Sequence, residues 1–120
     1  MQSQVLDTIE SEKLVIYVVW EPILRTDDAR ASRKATTLVP DPRARHYWID
    51  TETLGELFQP ALGLETEPAW DVYLVYSPGG TWNDVPPAPE FFMHQLVGRL
   101  PEERLLDGAA LAQRIRQMLQ

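Results

Sequence analysis

The sequence predicts an α/β domain, a mixed four-stranded sheet flanked by helices in the order β-α-β-α-β-β-α, and three segments carry that prediction. Leu14–Trp20 and, apart from Asp71, Trp70–Tyr76 are apolar runs rich in β-branched and aromatic residues, the pattern of strands covered on both faces. Near the C-terminus, Leu111, Ala112, Ile115, Met118 and Leu119 recur at the helical period and mark an amphipathic helix.

Along the chain, residues 1–13 are mostly polar, and Val5, Leu6 and Ile9 stand at a spacing that suggests a short helical lead-in. Leu14–Trp20 is expected to be the central strand. A loop fixed by Pro22 follows, and Thr26 or Asp27 offers the side-chain oxygen that starts a helix. The apolar stripe expected there is Ala31, Ala35, Leu38 and Val39, with Arg30, Arg33, Lys34 and Thr37 in solvent, and Pro40 and Pro42 end it.

Arg45–Asp50 reads as a second strand, with His46 and Trp48 on one face and Tyr47 and Ile49 on the other. The next helix is expected to bury Leu54, Leu57 and Phe58 and to be kinked or closed by Pro60 with Gly63. After the third strand, Ser77–Gly80 is a turn signal and the segment to Pro89 is a proline-rich loop. Phe91–Val97 reads as a fourth strand, antiparallel to the third, or as a short helix started by Pro89, with the strand preferred. Asp107 is placed to cap the last helix.

With 120 residues the chain suits one domain. Its 44% hydrophobic and 24% charged residues are those of a folding globule. No apolar run approaches the ~20 residues of a membrane helix. No secretory signal is visible, so a cytoplasmic location is the default expectation. A net charge of −7 argues against general nucleic-acid binding, which draws on cationic side chains. Residues 25–45 depart from that balance: six Lys and Arg stand there against three Asp, and Arg30, Arg33, Lys34, Arg43 and Arg45 could meet an anionic partner but are read first as a solvated basic surface. There is no cysteine, hence no disulfide, no thiolate ligand and no sulfur nucleophile.

The element order, the strand ending in Trp20, the proline-containing loop after it, and Val97-Gly98 leading to a C-terminal amphipathic helix together resemble the thioredoxin-like fold. The redox motif of that family is absent, because Glu21, Pro22, Ile23 and Leu24 occupy the loop where thioredoxins carry two cysteines, and Pro68 lies a few residues early for the family's cis-proline. The resemblance therefore implies a scaffold without redox activity.

In such a sheet, ligands gather at the carboxyl ends of the parallel strands. That edge would bring together Trp20, Glu21, Pro22 and Arg25, then Asp50, then Pro68, Trp70 and Asp71. Trp82 in the proline-rich loop is a further contact candidate. These residues suit a protein or peptide partner, or a second copy of the chain, and no cofactor is expected. The alternative is a metal-dependent or acid/base enzyme using Glu21, Asp50 and Asp71 with His46. Against it, His46 and His94, the two histidines, lie in no catalytic motif and are expected to be hydrogen-bonded structural imidazoles.

Overall fold

The computed structural model describes residues 1–22 and 28–120; Arg25 and the expected helix-start positions Thr26 and Asp27 lie outside them. The elements are β1 (Ile16–Trp20), α1 (Ala29–Ala35), β2 (Ala44–Trp48), α2 (Thr53–Leu57), α3 (Gln59–Leu62), β3 (Val72–Val75), β4 (Phe91–His94) and α4 (Gly108–Leu119), with short 3₁₀ turns at Leu6–Thr8, Thr36–Leu38 and Glu102–Arg104. The chain divides into two compact units. One comprises Met1–Glu52 with Gly108–Gln120, the other Thr53–Asp107.

The pairings follow the expected directions: β1 runs parallel to β2 and β3 antiparallel to β4. They do not merge, however. The four strands form two separate two-stranded sheets, which overturns the expected thioredoxin-like four-stranded sheet. The physical reason lies in how an apolar run is read. Both runs contain tyrosines, whose rings count as apolar in a pattern but whose hydroxyls tolerate water. Tyr17 in the first is 61% exposed, so β1 is covered on one face only.

In the first unit, the lead-in is part of the core. Val5, Leu6 and Ile9 are buried, as are Leu111, Ala112 and Ile115 of α4. Arg116 of α4 donates to the Thr8 carbonyl at 3.0 Å, and Gln4 lies against Gly108. α1 is capped by Asp28, whose carboxylate accepts the Ala31 N–H at 2.7 Å. Its buried positions are Ser32 and, beyond the 3₁₀ turn, Val39, while Leu38 is 69% exposed and Ala31 faces water. The expected stripe is thus corrected. Val39 lies about two helical turns beyond Ser32 and so shares its side, whereas Leu38 falls roughly 120° away from it at about 100° per residue.

The second unit packs Phe58, Leu62, Leu64, Ala69, Leu96 and Leu100 into one core, against which Leu54, Trp70, Val72, Leu74, Tyr76 and Phe92 lie partly buried. Leu57, expected inside, is exposed; Gly55 takes the inward position instead, so close to Ala69 and Pro68 that only a hydrogen fits there. Pro60 opens α3 and Gly63, at φ 78°, closes it, consistent with proline's place in a first turn and glycine's at a helix end. Of the segment Phe91–Val97, the first four residues form the strand β4, which ends at His94, and the chain then leaves the sheet.

Candidate functional site

The expected edge residues fall in both units, and each group is described within its own. Trp20 ends β1. Its carbonyl accepts the Ile49 N–H at 3.0 Å, and its indole N–H donates to His46 Nδ1 at 3.1 Å, with the two rings parallel to within 6°. That bond fixes the imidazole. Nδ1 must present its lone pair to the indole, so the proton sits on Nε2, which donates to the Val39 carbonyl at 3.0 Å. Glu21 and Pro22 follow half-buried, and Asp50 is exposed beyond β2.

His46 also lines, with Asp41, Thr36 and Thr37, an open depression of about 390 Å³. Its polar groups are already engaged. The two threonine hydroxyls donate to the Arg33 and Lys34 carbonyls. Asp41 accepts from Arg43 through Nε to Oδ1 at 2.9 Å and Nη2 to Oδ2 at 2.7 Å. The bonds from Arg43 hold the Asp41 carboxyl down at about 2, against the opposing cost of burial. The remaining N–H groups of Arg43 reach the carbonyls of Leu6 (2.9 Å), Ile9 (2.6 Å) and Ser11 (3.2 Å). The arginine read as part of a solvated surface is a structural hub.

In the second unit, Pro68 and Trp70 are half-buried, Trp70 against the core. Asp71 is exposed in the left-handed region at φ 49°. Its carbonyl accepts the Gln95 N–H at 3.0 Å, and partial burial raises its carboxyl above the usual value. His94 repeats the logic of His46: the Leu96 N–H donates to Nδ1 at 3.0 Å, so Nε2 carries the proton to the Pro101 carbonyl at 2.8 Å.

Trp82 is the expected contact residue that stands out as a large exposed side chain, at 51%. Its ring meets Phe58 edge-on at 5.6 Å and Tyr76 at 5.3 Å. The loop that carries it is pinned where Tyr76 Oη donates to the Pro87 carbonyl at 2.8 Å and where the Ser77 N–H donates to the Glu90 carboxylate at 3.0 Å. Burial raises the Tyr76 pKa, which keeps the phenol protonated as that donor.

No family model, curated protein or solved structure matches the chain. Its chemistry is read from its own residues. Among the described residues no group of three or more His, Asp or Glu is placed to hold a metal ion, and no helix is long and apolar enough to cross a membrane.

A second exposed surface escaped the sequence reading. On the open face of the β1–β2 sheet, Tyr17 lies opposite Arg45 and Val19 opposite Tyr47. The two tyrosine rings are 6.3 Å apart, and the Arg45 guanidinium carbon sits 5.9 Å from the Tyr17 centroid. Odd-numbered alternation from Val15 to Val19 was the available signal, hidden because the residues between are apolar too.

Proposed function

We propose that this chain is a non-catalytic binding module that engages a protein or peptide through the Trp82 surface. The observation that carries the reading is a half-exposed indole held in place from below by Phe58 and Tyr76. Tryptophan is enriched among residues that dominate binding energy, and a pinned loop loses little freedom on contact. The absence of cysteine excludes thiol chemistry by its own side chains. The unit that carries Trp82 holds nine Asp and Glu against two Arg, which favours a basic partner segment.

The enzyme reading fits less well, because both ring nitrogens of His46 are committed to Trp20 and Val39.

The test is selection from a random displayed-peptide library on the wild-type protein, followed by affinity measurements on Trp82→Ala. Enriched basic peptides that bind wild type at least about tenfold more tightly than the variant support the reading. Failure to enrich, or equal binding to both proteins, removes it.

A further inference from the structure

We infer that the outer edge of β1, with the Tyr17–Arg45–Tyr47 face beside it, is a docking site for an extended acidic peptide that adds to the sheet as a third strand. The backbone phase sets the edge. The Ile16 N–H donates to Arg43 across the sheet and the Trp20 carbonyl accepts from Ile49, so the even-numbered residues of β1 direct their backbone groups to β2. Alternation then turns the N–H and C=O groups of Tyr17 and Val19 the other way. Among the described residues no hydrogen bond reaches them. An extended peptide answers such a row of donors and acceptors directly.

Side chains select the charge. An added strand would place alternate residues next to Tyr17 and Val19 on the open face. The charged group there is Arg45. Its guanidinium leans over the Tyr17 ring, toward the outer edge, and has neither an ion pair nor a hydrogen bond among the described residues. Exposed tyrosines flank it, and the residues of β1 and β2 themselves include no acid. The unit as a whole does not repel an acidic chain, since its nine Lys and Arg balance nine Asp and Glu. A glutamate lying beside Tyr17 can reach the guanidinium and form a charge-assisted pair.

The probes are two capped eight-residue peptides, one alternating Val with Glu and one alternating Val with Lys, added to the full chain. Amide hydrogen exchange followed by NMR is expected to slow at Tyr17 and Val19 on adding the Glu peptide. That peptide should bind at least about tenfold more tightly than the Lys peptide, and Arg45→Gln should erase the preference. Arg45 is solvent-facing, so the variant retains the fold. Three results would overturn the inference: no added protection at those two amides, equal affinity for both peptides, or protection that grows with protein concentration alone, which would make a second copy the occupant.

Discussion

Asp41 and Arg43, two positions apart just before β2, meet in a two-point contact at 2.9 and 2.7 Å, and the arginine continues through it to three carbonyls of the lead-in. The carboxylate fixes the guanidinium plane, and the guanidinium gathers backbone from 32 to 37 residues away. Few single side chains here answer so many groups at once.

Replacing this arginine should therefore cost more than a surface charge normally does. Arg43→Ala strands a nearly buried carboxylate and leaves three carbonyls without their donor, an expected loss of about 3 kcal/mol. Arg43→Lys keeps the charge but not the fork, so an intermediate loss of roughly 1–2 kcal/mol is expected. Urea denaturation followed by circular dichroism orders the three proteins; a lysine variant as stable as wild type would contradict the hub.

The same pair predicts an acid limb. The Asp41 carboxyl is lowered from 3.8 to about 2 in the folded chain, so between those values the unfolded chain binds the proton first. Its stabilisation is complete above about pH 5 and fades as pH falls through 4 toward 2, a contribution of roughly 1–2 kcal/mol after allowance for solvent screening. The stability gap between wild type and Asp41→Asn should accordingly narrow from pH 6 to pH 2.5. A gap that stays constant would show that the carboxylate charge is not what stabilises the contact.

Gly55 reverses the usual helix rule. A methyl group on it would come within 2.6 Å of the Ala69 carbonyl and 2.9 Å of Pro68 Cβ. Alanine gains about 1 kcal/mol in helix propensity, but overpacking against backbone costs roughly 1–3 kcal/mol. Gly55→Ala is expected to lower the midpoint of thermal unfolding, whereas a rise would mean that α2 can shift away from the Ala69 strand entry.

The imidazoles supply a spectroscopic test. At pH 8, ¹⁵N NMR should show His46 and His94 both with hydrogen on Nε2 and a bare Nδ1. Trp20→Phe removes the donor that holds His46 in that form, at a cost of about 1 kcal/mol, and should let a second tautomer appear there while His94 stays unchanged. If the His46 signals do not move, the indole is not the group that sets its tautomer.

How much of this was legible follows from the kind of signal each residue gives. Helix stripes and punctuation were readable: Leu111, Ala112 and Ile115 are buried as their spacing predicts, Gly63 ends its helix, and Phe91–His94 returns antiparallel to β3. Strand directions also followed from whether a helix or a loop joins the two strands. What a run such as Leu14–Trp20 cannot reveal is how many neighbours its strand has, since Tyr17 satisfies an apolar pattern and an exposed surface equally well. Arg43 was unreadable for a related reason: its partners are backbone carbonyls, and those leave no trace in side-chain identity. Of the expected site, Trp20 was rightly placed at a strand end, but its indole is occupied by His46, while Trp70 serves the core. Trp82 kept its exposure.

For anyone shortening the gene, the lead-in sets a limit. A clone beginning at Leu14 would discard Val5, Leu6 and Ile9 together with the three backbone acceptors of the Arg43 guanidinium, opening the core of this unit and leaving that cation with Asp41 as its remaining partner. The minimal folding fragment of this half of the protein accordingly starts upstream of its first strand, and it needs the distant C-terminal helix as well.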